Sequence, residues 1–363
     1  MPVRYGIIGA GMMAQEHIRN ISLFPDTKII GIADPNEPMR GAAQSLAREA
    51  TMFADAAGMI SALECDAFVV ATPNDTHFEI LSELIKLRRP ILTEKPLCTT
   101  IADCRRVMSA ARRHGTAVWV AMEYRYMPPL ARLIAELEAG TAGHPVMVSI
   151  REHRFPFLEK VDDWNRFNKR TGGTMVEKCC HFWDLMRLLL KSDPIRVYAS
   201  GSIAVNHLDE RYAGQAPDIT DNAFAVVDFA NGSRGMLDLC MFAEGSDWQE
   251  TVSVTGPLAR VDAKVPGPIR YQTGKQPRIP EITVNYRGDK PNTVTAIPVD
   301  ATLLDAGDHC GSTYYQHEKF LQLVVGAVGT PAVTLMDGSW AVSLGQAAEE
   351  SIRSGEAVPV QAP

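Results

Sequence analysis

Three side chains suited to acid–base chemistry recur at helical spacing in the middle of the chain. Glu177, His181 and Asp184 stand at i, i+4 and i+7, which predicts one shared face of a helix over about 175–190. A carboxylate one turn from an imidazole can orient the ring and stabilise the proton that it collects, as a general base requires. The preceding Gly172-Gly173 pair allows backbone to approach a ligand closely. The alternative interpretation is an ordinary surface Glu–His pair.

A lysine with a restricted direction follows a predicted strand earlier in the chain. Lys95 lies in Thr93-Glu94-Lys95-Pro96, and Pro96 restricts the chain so that the lysine points in a defined direction. A lysine beside a nicotinamide can polarise the reacting hydroxyl oxygen. The positive ring should lower the lysine pKa, which helps it share in proton transfer. A surface Lys–Glu pair is the alternative.

The amino-terminal segment indicates the cofactor that such chemistry needs. Residues 4–9 form an apolar strand that runs into Gly9-x-Gly11-x-x-Ala14 and then a helix. Gly9 permits the tight turn, Gly11 lets backbone approach a pyrophosphate, and Ala14 allows close helix packing. The helix N-terminus offers unpaired N–H groups to the phosphates. The pattern predicts a dinucleotide site, against the alternative of a glycine-rich turn without a ligand.

The end of the second strand predicts NAD rather than NADP. Asp34 lies about twenty residues after the glycines, where an acid hydrogen-bonds the ribose 2′-hydroxyl. A phosphate there would meet this carboxylate, and Pro35-Asn36 offers no cation, although Arg40 further on keeps NADP open. Thr72-Pro73-Asn74-Asp75-Thr76-His77 follows the third strand at the same sheet edge. It can line the ribose and nicotinamide, or form only a turn and a helix cap.

The elements that must position these residues indicate two domains of an α/β protein. Residues 1–122 alternate strands with helices, which predicts an NAD-binding Rossmann domain with a doubly wound parallel sheet. Its predicted strands are 4–9, 28–33, 67–72, 90–93 and 117–121, and its helices are 12–23, 37–48, 76–87 and 101–114. Residues 123–363 predict an α+β domain for substrate binding and oligomerisation, with a large, mostly antiparallel open sheet. Its strands are 145–151, 195–203, 222–230, 234–242, 249–255 and 259–264, its helices are about 130–139, 175–190, 312–326 and 337–354, and 265–300 reads as a long loop or an edge excursion.

Composition narrows the partners to a small molecule. The formal net charge of −7 is spread over 363 residues without a Lys/Arg block, so neither nucleic acid nor a membrane surface is indicated. Seven scattered cysteines and the lack of a leader or a long apolar stretch predict a cytoplasmic protein. We expect no metal, because consecutive side chains in Cys179-Cys180-His181 diverge by about 100° on a helix.

Taken together, these motifs resemble the Gfo/Idh/MocA oxidoreductase family, which includes inositol dehydrogenases and glucose-fructose oxidoreductase. The resemblance rests on the glycine pattern at 9–14, Thr72-Pro73-Asn74-x-x-His77, Glu94-Lys95-Pro96, and Gly172-Gly173 followed by an acid and His181. Glu94-Lys95-Pro96 is the most specific of them. The resemblance implies that Lys95 is catalytic and binds substrate, and that His181 takes the hydroxyl proton beside Glu177. It also implies a homodimer or homotetramer built through the open sheet.

The resemblance further implies which residues contact each ligand. For the cofactor they are Gly9, Gly11, Met12, Met13, Asp34, Thr72, Asn74, His77, Glu94, Lys95, Arg125 and Trp164, the last with Asn165. Substrate contacts are implied for Lys95, His181 and, from the helix start Ser312 to His317, Tyr315, although the tyrosine spacing there differs from the common pattern.

Two departures from the family pattern bear on the substrate. Glu177 is one methylene longer than the usual aspartate, so its carboxylate can reach the substrate as well as orient His181. Lys178 and Cys179 replace residues that are usually apolar or glycine. Lys178 can favour an acidic sugar, such as a uronate or a sulfonated sugar, together with Arg125, Arg151 and Arg154. Alternatively, these cations are solvated or paired with Glu152 and Glu159.

We therefore predict an NAD-dependent dehydrogenase that oxidises a secondary hydroxyl of a cyclic polyol, a sugar or a glycoside to a ketone. Two alternatives stay open. One is an NAD-dependent glycoside hydrolase that acts by transient oxidation and elimination. The other is a non-catalytic NAD-binding regulatory protein, against which the retained Lys95 and His181 argue.

Overall fold

The computed structural model describes residues 1–271 and 278–363, and its first 120 residues form a six-stranded parallel sheet. The strand order β3-β2-β1-β4-β5-β6, with β1 in the middle, is that of a doubly wound sheet, as predicted. These strands are β1 (Val3–Ile8), β2 (Thr27–Ala33), β3 (Thr51–Phe53), β4 (Ala67–Val70), β5 (Ile91–Thr93) and β6 (Val118–Val120). Buried apolar runs such as β4 are typical of a parallel sheet covered on both faces. The three-residue β3 was not predicted.

Twelve α-helices are described in residues 1–271 and 278–363. They are α1 (Met12–Ile21), α2 (Glu37–Leu46), α3 (Ala56–Ala62), α4 (His77–Leu84), α5 (Ile101–His114), α6 (Pro128–Glu138), α7 (Asn168–Thr171), α8 (Thr174–Glu177), α9 (Cys180–Leu190), α10 (Ala301–Ala306), α11 (Ser312–Val324) and α12 (Leu335–Ser354). Side-chain caps start several of them: the Asn36 side chain accepts from the Met39 N–H, and the Thr100 side chain accepts from the Asp103 N–H. In the described part of the chain, no helix has both the length and the apolar character needed to cross a membrane.

A second, nine-stranded sheet follows from residue 147 onward. Its strands are β7 (Met147–His153), β8 (Pro194–Ser202), β9 (Asn222–Phe229), β10 (Arg234–Cys240), β11 (Glu250–Thr255), β12 (Ala259–Val265), β13 (Glu281–Tyr286), β14 (Thr293–Ala296) and β15 (Val358–Pro359), in the order β14-β13-β12-β11-β7-β10-β9-β8-β15. All pairings are antiparallel except β10 with β7, so the predicted, mostly antiparallel sheet is confirmed. The predicted edge excursion contains β13 and β14 at one end of the sheet, and its residues 272–277 lie outside the described residues.

The helix α12 joins the two sheets. It packs against α5, which belongs to the part of the chain with the parallel sheet, and against β8 and α9, which belong to the part with the nine-stranded sheet. Thr334 and Asp337 cap its start reciprocally, which satisfies two N–H groups that a helix N-terminus leaves free. A Cβ on Gly338 would lie 2.9 Å from the Val120 side chain, and one on Gly345 would lie 2.6 Å from the Met175 carbonyl oxygen. Glycine at both positions therefore lets α12 lie close to β6 and α8.

Candidate active site

The glycine loop between β1 and α1 has the shape that a pyrophosphate needs. Gly9 has φ +99°, and a Cβ there would lie 2.1 Å from the Ala71 carbonyl oxygen, so only glycine fits this turn. A Cβ on Gly11 would meet nothing within 4 Å, which leaves open space above the loop. No side chain caps α1 at Gly11, so the N–H groups of Met12 and Met13 are free to bind an anion. The loop therefore fits a dinucleotide.

Asp34 stands at the end of β2 with its carboxylate fixed by backbone donors. One oxygen accepts from the Ala10 N–H and the other from the Asn36 N–H, each at 2.7 Å. Arg40 donates to the carbonyl oxygens of Asp34 and Pro35 at 2.6 and 3.0 Å. The carboxylate is thus held beside the glycine loop, while the guanidinium is engaged with backbone.

The turn after β4 lies over the glycine loop, as predicted. The Thr72 methyl group would lie 3.2 Å from a Cβ on Gly9, and the Asn74 amide donates to the Thr171 carbonyl oxygen at 3.4 Å. His77 is fully buried, and its ring nitrogens lie 2.8 Å from the Pro96 oxygen and 3.1 Å from the Thr72 oxygen. Burial lowers the pKa of His77. The structure places His77 as a tie between two loops at the sheet edge.

Lys95 is held by the element that carries Glu177. Its Nζ donates to the Glu177 carbonyl oxygen at 3.1 Å and lies 3.4 Å from the carboxylate Oε1. Burial opposes the charged form, but Glu177 and other neighbouring acids outweigh it, so the pKa of Lys95 is raised. The lowered pKa that we predict applies to Lys95 beside a bound, positively charged nicotinamide, and it stays a prediction. Lys95 is therefore a charged hydrogen-bond donor in this site.

Glu94 anchors the backbone of the same loop. One carboxylate oxygen lies 2.9 Å from Nε2 of His17, and the other accepts from the Lys95 N–H at 3.1 Å. Nδ1 of His17 lies 2.8 Å from Nε2 of His317 on α11. A buried chain of polar groups therefore connects the lysine loop with α1 and α11.

The prediction of one continuous helix through Glu177, His181 and Asp184 is wrong. The helix α8 ends at Glu177, and α9 begins at Cys180. The Trp183 indole donates to the Met175 carbonyl oxygen at 2.7 Å, and the Cys179 N–H bonds instead to the Thr174 oxygen, one residue further back. A side-chain hydrogen bond thus takes the place of a helical one at the point where the helix is interrupted.

His181 lies in the first turn of α9, buried against Tyr124. The two rings stack in parallel, with centroids 4.0 Å apart and an interplanar angle of 8°. Its Nδ1 is buried and has no hydrogen-bond partner within the described ranges. Burial, followed by the charges of Lys95 and Lys178, holds the pKa of His181 well below its usual value. The imidazole is therefore neutral near pH 7 and able to accept a proton.

The cations that we expected to favour an acidic sugar are paired or point elsewhere. Lys178 Nζ lies 2.9 Å from Glu152 Oε1, and Arg154 Nη1 lies 3.5 Å from the same oxygen. The alternation of β7 puts Arg151 on the opposite face of the sheet, where it donates to the Thr251 hydroxyl. Pairing with Glu152, one of the two alternatives, is confirmed for Lys178 and Arg154.

Three other predicted site residues make contacts outside this cluster. Arg125 makes a two-point ion pair with Asp184 and donates to the Ala332 oxygen. Trp164 is buried in the turn Val161–Arg166, with Lys160 Nζ 5.9 Å from its ring centroid. Tyr315 on α11 packs edge-on against Tyr314.

Several charged residues near the cluster escaped the sequence analysis. Within the described residues, the Lys160 ammonium makes no ion pair or hydrogen bond. Burial lowers the pKa of Lys160, while Glu177 acts in the opposite direction. Glu250 lies opposite Glu152 in the sheet register, and burial together with that neighbouring charge raises the pKa of Glu250 to about 7. The alternation of β7 buries Glu152 on the same face as Val148 and Ile150, and this sequence signal could have indicated the buried Glu152–Glu250 pair.

Two further acidic residues, Glu16 and Glu123, lie around His309. Its ring nitrogens lie 2.9 Å from Glu16 and 3.6 Å from Glu123, and the Thr313 hydroxyl contacts both carboxylates. Burial opposes protonation, but the two acids outweigh it and raise the pKa of His309 to about 10. The three residues offer ligand atoms within 4.8 Å of one another. A metal binds only a neutral imidazole, so the proton on His309 competes with any metal for this ring.

A Rossmann sheet with an open glycine loop and a Lys–Glu–His cluster at its carboxyl edge defines a nicotinamide-dependent oxidoreductase. The chain belongs to the Gfo/Idh/MocA oxidoreductase family. Residues 3–122 match its "Oxidoreductase family, NAD-binding Rossmann fold" model, and residues 134–361 match its "Oxidoreductase family, C-terminal alpha/beta domain" model.

Individual relatives are distant but cover most of the chain. The rhizopine catabolism protein MocA of Rhizobium meliloti is 26% identical over 83% of this chain and 92% of its own length. The myo-inositol 2-dehydrogenase of Thermotoga maritima is 24% identical over 99% of both chains. A levoglucosan dehydrogenase structure in complex with NADH superposes with a TM-score of 0.84 at 19% identity, covering 100% of both chains. That structural likeness shows the shared fold.

Proposed function

We propose that the protein is an NAD-dependent dehydrogenase that oxidises a secondary hydroxyl of a cyclic polyol, a sugar or a sugar derivative to a ketone. The observation that carries the proposal is that a charged Lys95, held by the Glu177 carbonyl and carboxylate, acts electrostatically on a buried, neutral His181. The relatives named for inositol oxidation support the substrate class.

Each residue of the cluster has a distinct role in this proposal. Lys95 donates a hydrogen bond to the reacting hydroxyl oxygen and stabilises the negative charge that develops there. His181 accepts the hydroxyl proton. When bound, NAD⁺ would supply the acceptor for the hydride. Glu177 holds Lys95 in place, and its buried Oε2, unpartnered among the described residues, is available to a neighbouring substrate hydroxyl.

We propose the following cofactor contacts for this chain. The N–H groups after Gly11 bind the pyrophosphate, Asp34 binds the adenosine ribose, and the polar groups of the Thr72 turn and the Glu94-Lys95 loop lie along the nicotinamide half. The residues involved are Gly9, Gly11, Met12, Met13, Asp34, Thr72, Asn74, Glu94 and Lys95. His77 supports them from beneath, since both of its ring nitrogens are engaged with backbone oxygens.

The ionic contacts favour an uncharged ring over an acidic sugar. Lys178 and Arg154 share the Glu152 carboxylate, and Lys95 is paired with Glu177. Within the described ranges, Lys160 is then the cation near the cluster whose ammonium has no ion pair. We propose that it contacts a substrate hydroxyl.

A coupled absorbance assay tests the proposal. NAD⁺ and, separately, NADP⁺ are supplied with a panel of inositols, aldoses, uronates and aryl glycosides, and aglycone release is followed in the same wells. We expect substrate-dependent NAD⁺ reduction, which Lys95→Ala and His181→Ala each lower by about 10²–10⁴-fold.

Matched controls keep this result specific. Lys86→Ala, in an exposed pair with Glu83, and His114→Ala, at the end of α5, should leave turnover unchanged. Turnover of both site variants within about tenfold of the unsubstituted enzyme would overturn the mechanism. Aglycone release without a net absorbance change would instead identify a hydrolase.

We also propose that the open face of the nine-stranded sheet forms a homo-oligomer interface. Tyr198, Val226 and Met236 align across β8, β9 and β10, and each is more than 40% exposed. A row of exposed apolar side chains of this kind marks an association surface. Light scattering after gel filtration should give a dimer or a tetramer. Val226→Glu should dissociate it, and the control Leu23→Glu on an exposed loop should not.

A further inference from the structure

A buried ion pair contacts Tyr124, whose ring stacks on His181. Lys178 Nζ is 2.9 Å from Glu152 Oε1 and 2.6 Å from the Tyr124 hydroxyl oxygen. Lys178 is 4% exposed and Glu152 is fully buried. Desolvating two charges is costly, so a buried ion pair is weak evidence for a gain in stability. Its contact with the ring that stacks on the proposed base points to a role in the chemistry.

Tyr124 connects this pair to His181. Its hydroxyl accepts from Lys178 and donates to Glu250 Oε1 at 3.3 Å, so two contacts fix the hydroxyl end of the ring. The Lys178 ammonium lies 4.7 Å from the centroid of the Tyr124 ring, within the range of a cation–π contact. The same ring stacks on the imidazole at 4.0 Å. The orientation of His181 and the position of a positive charge near it are therefore coupled through one side chain.

The signs of the surrounding charges determine what this coupling does. Lys95, Arg154 and His309 act on His181 in the same direction as Lys178, since each disfavours a second positive charge. The carboxylates that face the cluster are Glu177 from α8, Glu152 from β7 and Glu250 from β11. Glu152 is the nearest counter-charge of Lys178. Removing the lysine should therefore favour protonated His181, and removing the glutamate should disfavour it.

We propose that Lys178 and Glu152 are a positioning pair that keeps His181 oriented and unprotonated, so that it is ready to accept the substrate proton. The proposal rests on the role of His181 in the proposed function. Lys178 and Glu152 touch neither substrate nor cofactor in it and act through Tyr124.

Two substitutions with opposite expected signs test the pair. The acid limb of the pH profile of kcat/KM is measured together with an NMR titration of the His181 ring protons in the protein without cofactor. Lys178→Met should raise the midpoint of the His181 titration by about one pH unit. At pH values on the acid side of that midpoint, kcat/KM should then be about tenfold lower. Glu152→Gln should move it down, and Lys178→Arg should leave it in place.

The controls separate this role from a purely structural one. Arg151→Gln changes a cation on the same strand as Glu152 but on the opposite face of the sheet, and it should shift neither measurement. A thermal melt of each variant shows whether it folds, and Glu152→Gln, which preserves side-chain size, supplies the test where Lys178→Met does not. Shifts of the same sign in both variants, or no shift in either, would overturn the proposal. Because the NMR titration needs no turnover, it stands apart from any failure to find a substrate.

Discussion

Replacing Asp34 by serine should weaken the preference for NAD⁺ over NADP⁺. The Asp34 carboxylate accepts two backbone N–H groups at 2.7 Å, so it cannot swing away from a ligand without losing both bonds. Arg40, the nearby cation, already donates to two backbone oxygens. A ribose 2′-phosphate would therefore face a fixed negative charge.

The size of the preference follows from Coulomb's law. Two unit charges about 4 Å apart interact by about 4 kcal/mol at the effective dielectric constant of about 20 that suits protein surfaces. At about 1.4 kcal/mol for each factor of ten, this predicts that kcat/KM favours NAD⁺ by about 10³-fold. Asp34→Ser removes the repulsion and should lower the ratio at least 100-fold.

The ratio of kcat/KM for the two coenzymes is the quantity to measure. Serine also leaves the Ala10 and Asn36 N–H groups without their acceptor, which should slow the enzyme with both coenzymes, and the ratio cancels that shared loss. Asp55→Ser makes the same change at the N-cap of α3, where serine can still cap the helix, and as the matched control it should leave the ratio unchanged. A ratio within about threefold of the original in Asp34→Ser would refute the reasoning.

Three further predictions follow from the contacts described above. Arg125→Met should lower the free energy of unfolding in urea by about 3–5 kcal/mol because it leaves the buried Asp184 unpaired, whereas Arg132→Met, in an exposed pair, should cost less than about 1 kcal/mol. Lys160→Met should raise the KM for substrate about tenfold and leave the KM for NAD⁺ unchanged. The folded-state pKa of His309, raised to about 10, gives stability that is fully present below about pH 6.5 and is lost as pH rises through 10. Urea unfolding at both pH values should show this loss, and His309→Gln should abolish it.

The fold of the amino-terminal part, which carries the parallel sheet, was largely predictable because its sequence signals are local. An apolar strand, a glycine turn and a helix follow one another within residues 3–21, and β1 and α1 begin within one residue of the predicted positions. The missed β3 and α3 span three and seven residues, too few to show a periodicity. In the second sheet, alternation predicted β7 to β12, whereas β13 and β14 lie in the segment read as a loop or an edge excursion and β15 was not predicted. Nothing local shows that β7 pairs in parallel with β10.

The errors in the site arose from side-chain contacts that helical and strand periodicity do not encode. The break between α8 and α9 depends on the Trp183 indole reaching the Met175 carbonyl, a contact that periodicity cannot show. Arg151 and Glu152 are neighbours in sequence and lie on opposite faces of β7. Whether a cation on this strand reaches the Lys95–Glu177–His181 cluster therefore depends on which face α9 covers. The residue types were visible in the sequence, and their partners were not.

The origin of these partners also explains why the proposed chemistry requires both halves of the chain. Lys95 follows a strand of the first sheet, yet its ammonium is held by the carbonyl and carboxylate of Glu177 from α8. Glu94 is held by His17, which in turn contacts His317 from α11. The donor and its anchor therefore take up their positions only when the carboxyl-terminal elements pack on the nucleotide-binding sheet. One cluster thus holds a charged lysine and a neutral histidine, because the fold supplies a carboxylate to the lysine, whereas burial and the neighbouring cations disfavour protonation of the histidine.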